Sequence, residues 1–141
     1  MIETILFDLE VIYDSTKQSL CDFQPIYNFA KNNNITVAIA TASKKEIEYI
    51  SKKILLKKLF TNIFCSPNLG YESKKNPLFF TEIIEKLSSK TKNSWMIDDG
   101  INGIQAKLAL KTYYVNEKIE CCDYYGSLLD FLSFLQTNND N

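Results

Sequence analysis

An apolar run that stops abruptly at a polar side chain recurs along this chain, and it constrains the fold more than any other feature. Ile5-Leu6-Phe7 stops at Asp8, Val37-Ala38-Ile39-Ala40 at Thr41, and Trp95-Met96-Ile97 at Asp98. Short runs without polar alternation fit strands buried on both faces. Residues 2–8 and Ile35–Ala40 read as the first two strands, Ile63–Cys65 as a short third, Ser94–Ile97 as a fourth and Thr112–Val115 as a fifth. Helical patterns lie between them. Phe23, Ile26, Tyr27 and Ala30 repeat at helical spacing over 23–33. Ser43 and Glu46 form a capping box for a helix through about residue 58. Pro77 opens a helix to about Ser88, residues 101–110 form another, and 126–136 the last. Strands alternating with helices predict a three-layer α/β fold. Its centre is a parallel sheet of about five strands with right-handed crossovers and helices on both faces. At 141 residues a single domain over 1–135 is expected, with 136–141 a polar tail or the start of a linker.

In such a sheet ligands gather at the carboxyl ends of the strands, and the polar residues of interest fall there. Asp8 and Glu10 close the first strand, Thr41 and Ser43 the second, and Asp98 and Asp99 the fourth; Lys74 and Lys75 lie in the loop after the third. A lone strand-end Asp is usually a cap or turn former. Acids, a hydroxyl and a Lys converging from four strand ends ask for another explanation.

Composition removes most alternatives. The chain has no His, and its 16 basic residues are all Lys. That excludes Ser-His-Asp and Cys-His nucleophile systems, His-ligated zinc and guanidinium clamps on phosphate. Cys21, Cys65, Cys121 and Cys122 fit neither a disulfide scaffold nor a zinc site and read as reduced thiols. A net charge of -1 gives no field for nucleic acid, and no apolar run approaches the roughly 18–20 residues of a membrane span. No basic and apolar leader precedes the first strand, so a cytoplasmic protein is expected, or one acting in another cell's cytosol if delivered there. The residues that remain suit phosphoryl transfer. An Asp carboxylate can attack phosphorus, a hard divalent cation, Mg²⁺, can offset the crowded carboxylates, and Thr41 with the N–H groups after it can hold phosphoryl oxygens. A Lys adds a point charge.

The motifs carrying this chemistry read Ile5-Leu6-Phe7-Asp8-Leu9-Glu10, then Val37-Ala38-Ile39-Ala40-Thr41-Ala42-Ser43, then Lys74-Lys75-Asn76-Pro77, then Trp95-Met96-Ile97-Asp98-Asp99-Gly100-Ile101-Asn102-Gly103-Ile104-Gln105-Ala106. In this order, over residues 2 to about 115, the sequence resembles the haloacid dehalogenase (HAD) superfamily of aspartate-nucleophile phosphohydrolases. The resemblance implies a HAD-like fold and a Mg²⁺-dependent phosphatase. It implies Asp8 as nucleophile and metal ligand, and Glu10 as general acid/base with its backbone carbonyl on the metal. Thr41 would bind the phosphoryl group and Lys74 would stabilise it, with Lys75 as the alternative. Asp99 would be the second carboxylate ligand, with Asp98 beside it as a helper.

Two departures carry weight. Position 10 holds Glu where the phosphatases usually carry Asp, and the usual Gly shortly after is replaced by Val11-Ile12-Tyr13-Asp14-Ser15, which shortens or reroutes the flap after the first strand. A repositioned general acid hurts poor leaving groups most, so aryl phosphates, phosphotyrosine among them, are expected to react better than sugar or serine phosphates. Neither 9–40 nor the stretch before Lys74 has room for a large cap domain. By resemblance, capless members act on phosphoproteins or borrow a neighbouring subunit as a lid. A phosphorylated protein or a small phosphomonoester is therefore the expected partner, and a homodimer through Asp123-Tyr124-Tyr125 is an option beside simple edge packing. Lys44, Lys45, Lys52, Lys53, Lys57 and Lys58 read as a solvated helix face. A catalytically weak HAD-like binding module and a small-molecule phosphatase or nucleotidase are the alternatives. A response-regulator receiver places its acidic pair after the first strand, which this order does not.

Overall fold

The computed structural model describes residues 1–14, 19–20, 23–42, 60, 62–71, 76–98, 110–115 and 124–138. The expected helix over 43–58 and residues 101–109 of the one expected over 101–110 lie outside the described residues, as do Ser43, Lys74, Lys75 and Asp99; Leu110 is a bend.

Each apolar run forms a strand, and their two faces are sorted by residue parity. The strands are β1 Thr4–Phe7, β2 Tyr13–Asp14, β3 Ser19–Leu20, β4 Thr36–Thr41, β5 Ile63–Cys65, β6 Ser94–Asp98, β7 Lys111–Val115 and β8 Tyr124–Gly126. Six of them form one sheet in the order β5-β4-β1-β6-β7-β8, every neighbour parallel. Along β1, Ile5 and Phe7 join one core with Val37, Ile39, Trp95 and Ile97, while Leu6 joins a second with Ala38, Ala40 and Met96. Side chains on a strand alternate faces, and both faces here are apolar, which is why the runs show no polar alternation.

Four α-helices are described: α1 Leu9–Ile12, α2 Gln24–Asn32, α3 Pro77–Lys86 and α4 Leu128–Asn138. The α2 helix brings Ile26 and Ala30, and α4 brings Phe131 and Leu135, to the first core. The α3 helix brings Phe79, Phe80, Ile83 and Ile84 to the second. There the sheet offers the small side chains of Ala38 and Ala40, which leaves room for the Phe79–Phe80 pair at 5.2 Å between ring centroids. Pro77 occupies the first turn of α3, and the Asn76 side chain accepts the Leu78 N–H at 3.1 Å. This is a start signal written in three residues. The expected three-layer α/β fold is thus present, with helices on both faces of a parallel sheet.

Two differences from the expectation have clear causes. The sheet has six strands rather than five. Tyr124–Gly126 is too short and too exposed on its outer side to carry a periodic signal, and its pairing with Tyr113–Val115 is a tertiary event. The last helix starts at Leu128, not 126, and runs through Asn138, because Gly126 belongs to β8. Ser127 and Asp130 then cap α4 reciprocally: Ser127 N–H donates to Asp130 Oδ2 at 3.0 Å and Asp130 N–H to Ser127 Oγ at 3.1 Å.

Gly126 is the tight point of this corner. Its φ of 150° suits glycine, and a Cβ there would lie 2.6 Å from the Tyr113 hydroxyl and 2.9 Å from Asp130 Oδ2. The same hydroxyl donates to Ser127 O at 2.9 Å. Burial, with the Asp130 carboxylate adding to it, pushes the Tyr113 phenol up to about 12. Gly126→Ala is expected to lower stability by about 2 kcal/mol or more, through strain and loss of this hydrogen bond. Urea unfolding of the two forms reads the difference directly.

Candidate active site

The carboxyl edge of the sheet is where β4, β1 and β6 lie side by side, and each ends in or just before a polar residue. Phe7 pairs in register with Ile39 of β4 and Ile97 of β6. Asp8 follows Phe7, and Asp98 follows Ile97, so the two acids leave adjacent strands at the same level. Asp8 N–H continues the ladder by donating to Ile97 O at 2.9 Å, which fixes the acid's backbone as part of the sheet. Thr41 ends β4 on the other side, opposite Cys65 of β5. Neighbouring strands are spaced about 4.8 Å apart, so the three side chains start within about 10 Å of one another.

Burial distinguishes them. Asp8 is 7% exposed, Asp98 3% and Thr41 0%. Asp8 therefore keeps the most exposure of the three. All three are engaged with other groups of the protein, as buried polar side chains must be. Next to Asp8 in the chain, the Phe7 ring lies edge-on to Phe23 at 6.4 Å and to Phe60 at 6.0 Å.

After Asp8 the chain makes a single helical turn, with Val11 N–H donating to Asp8 O at 3.2 Å, and passes directly into the antiparallel pair β2–β3. Glu10 thus lies in α1, two residues from the nucleophile candidate, and not at the end of β1 as the sequence suggested. The flap exists as a two-residue pairing, Tyr13–Leu20 and Asp14–Ser19. It forms without the expected glycine because a helical turn asks for no positive φ.

Lys74, Lys75 and Asp99 lie outside the described residues, so their expected roles rest on the sequence. The ends of the segment carrying the two lysines are fixed. Tyr71 N–H donates to Ser66 O at 2.8 Å, and the Tyr71 ring sits 5.9 Å from Phe79. Burial, with Glu82 and then Glu85 adding to it, raises the Tyr71 phenol above its ordinary range. Asn76 caps α3 at the other end. Sequence reasoning missed Tyr71, since a lone tyrosine in a loop gives no signal until Glu82 and Phe79 are brought to it by α3.

Among the described residues no group of three or more acids, Cys or His is placed to hold a metal ion. What the described residues supply is the pair Asp8 and Asp98. Two mostly buried carboxylates on adjacent strands are hard oxygen donors of the kind a divalent cation such as Mg²⁺ takes.

The comparisons with known proteins agree with this fold. The family model for haloacid dehalogenase-like hydrolases matches residues 2–109, and the chain belongs to that family. It is a hydrolase with the sheet order and site edge just described. No curated protein matches it. Several solved structures share its fold. A HAD-superfamily hydrolase of subfamily IA from Geobacter sulfurreducens matches with a TM-score of 0.79 at 9% identity, over 96% of this chain and 100% of that one. D,D-heptose 1,7-bisphosphate phosphatase from B. bronchiseptica, complexed with magnesium and phosphate, matches with a TM-score of 0.71 at 16% identity, over 96% and 99%. The cobalt-bound deoxy-D-mannose-octulosonate 8-phosphate phosphatase from Haemophilus influenzae matches with a TM-score of 0.68 at 11% identity, over 98% and 90%.

Proposed function

We propose that this hydrolase is a Mg²⁺-dependent phosphomonoesterase working through an aspartyl-phosphate on Asp8. The observation that carries the reading is the placement of Asp8 and Asp98 at one level on adjacent strands, with Thr41 ending the strand on the other side. An Asp8 oxygen attacks phosphorus, the O–P bond to the enzyme forms, and the ester P–O bond breaks. Glu10 gives its proton to the departing oxygen, then takes one from the water that hydrolyses the acyl phosphate. Thr41 and the backbone N–H groups after it hold the phosphoryl oxygens, and Lys74 supplies a positive charge to them, with Lys75 as its alternative. Asp8, the Glu10 backbone carbonyl and Asp99 would hold the metal, with Asp98 beside them. When bound, the ion offsets the charge of the carboxylates and phosphate as they meet.

Glu10 is one methylene longer than the Asp that the family usually carries, and it precedes a flap reduced to two paired residues on each side. A general acid displaced in this way favours leaving groups that need no proton. We therefore assign aryl phosphates, including phosphotyrosyl groups on proteins, as the better substrates. The two sugar-phosphate phosphatases among the structural neighbours support the second reading, a small phosphorylated metabolite.

The test is phosphate release from p-nitrophenyl phosphate, a phosphotyrosyl peptide and a set of sugar phosphates, with Mg²⁺ and with chelator. Turnover is expected to fall by at least about 10³-fold on metal removal and to return on adding Mg²⁺. Aryl esters are expected to lead by about 10²-fold. Sugar phosphates reacting as fast as aryl ones would select the metabolite reading. Activity indifferent to chelator would reject the metal-dependent mechanism.

A further inference from the structure

Two buried side-chain oxygens have no hydrogen-bond partner among the described residues, Ser66 Oγ and Glu82 Oε2. Glu82 belongs to α3 and keeps part of its surface in solvent, whereas Ser66 is 0% exposed. A hydroxyl in that state costs free energy in the folded chain, because it has left water without gaining a bond. Its place in the fold says what it can serve. Ser66 follows Cys65, the register partner of Thr41, so the chain leaves β5 one residue past the level of Thr41, at the carboxyl edge of the sheet. The backbone there is held on both sides. Ser66 O accepts the Tyr71 N–H at 2.8 Å, Pro67 O accepts the Gly70 N–H at 3.2 Å, and Gly70 closes the turn Ser66–Leu69 at a φ of 89°.

We propose that the Ser66 hydroxyl is a second donor to the phosphoryl group, beside Thr41. The inference rests on the reading of this edge as a phosphomonoesterase site. Thr41, the hydroxyl assigned there to the phosphoryl oxygens, is equally enclosed at 0% exposed, so burial in the chain without substrate does not set Ser66 apart from it. Neighbouring strands lie about 4.8 Å apart. A phosphoryl group that takes a hydrogen bond of about 2.7 Å on each of two oxygens spans hydroxyls on two such strands. The chain has neither Arg nor His, so neutral donors carry more of the anion than they do beside a guanidinium. A hydroxyl bonded to a charged oxygen is also held more strongly than one bonded to a neutral acceptor, which offsets the cost Ser66 bears in the free chain. Glu82 is no candidate for the same role, since a carboxylate repels the phosphoryl oxygens.

Ser66→Ala separates the two roles open to a buried hydroxyl. Without ligand the variant is expected to melt no lower than the unsubstituted protein, and up to about 5 °C higher, because no hydrogen bond is lost and an unpaired oxygen is removed. With Mg²⁺ present, inorganic phosphate should inhibit turnover about 10- to 100-fold more weakly. The value of kcat/KM should fall by about the same factor for p-nitrophenyl phosphate and for a sugar phosphate, since the contact is to the phosphoryl group and not to the leaving group. That equality distinguishes Ser66 from Glu10, whose loss depends on the leaving group. Ser66→Cys, which fills the same space with a weak donor, should show the same loss. Unchanged phosphate inhibition in either variant would overturn the proposal. So would a Ser66→Ala protein that melts several degrees lower, because the hydroxyl would then be paired in the free chain. In both cases an unsubstituted protein that still needs Mg²⁺ and Asp8 leaves the reading of the edge standing. An unsubstituted protein that neither hydrolyses the esters nor binds phosphate would remove both.

Discussion

Asp8→Asn is expected to lower kcat on every phosphomonoester by at least about 10⁴-fold, equivalent to about 5.5 kcal/mol of barrier. The amide is a far poorer nucleophile than the carboxylate. Among the described residues the nearest acid on the sheet edge, Asp98, leaves the next strand at the same level but is only 3% exposed. The substitution should not unfold the chain. Asp8 N–H, not its side chain, makes the ladder bond to Ile97 O. The two effects are separated by measuring turnover and thermal melting on the same preparation. The intermediate gives a further check. A phosphoryl group trapped by acid quench on the peptide containing Asp8, and released by hydroxylamine, is expected from the unsubstituted protein and not from the variant. Full activity in Asp8→Asn would remove the proposed mechanism altogether.

Glu10→Gln is expected to separate substrates by leaving group. Alkyl and sugar phosphates should lose about 10²–10⁴ in kcat/KM, the usual worth of a positioned general acid. Aryl phosphates should lose less than about tenfold in the same parameter, because a phenol with pKa near 10 departs without a proton. The second half-reaction still needs a base to activate water, so the aspartyl-phosphate should accumulate with aryl substrates. A stoichiometric burst of p-nitrophenolate followed by a slow steady rate is the expected trace. Equal losses for both classes without a burst would mean that Glu10 does not serve as the acid, and that the single turn Leu9–Ile12 carries it elsewhere.

The central strands were legible in the sequence because burial on both faces leaves an unambiguous mark. Ile5-Leu6-Phe7 and Trp95-Met96-Ile97 have no polar member, and each contributes to both cores. The start of α3 was legible for a local reason, as Asn76 and Pro77 together encode a cap and a first turn. At the site, Asp8, Thr41 and Asp98 could be located because each interrupts an apolar run at its carboxyl end. Glu10 was placed less well. Its position depends on whether the chain after β1 turns as a helix or continues extended, and Leu9-Glu10-Val11-Ile12 carries no periodicity long enough to decide.

What the sequence alone determined is the class of fold, the direction of its strands and the identity of the acids at their ends. Those follow from short-range rules: apolar runs, caps and the crossover geometry of strand-helix-strand units. What only the tertiary structure decided is which elements meet. The order β5-β4-β1-β6-β7-β8 places Asp8 between Thr41 and Asp98. It adds β8 as a sixth strand through pairing with β7, and it sets Ser66 one residue past the Thr41–Cys65 pair. Residues far apart along the chain become neighbours only when the whole sheet forms, because the free energy that joins them comes from closing both cores at once and not from any segment alone.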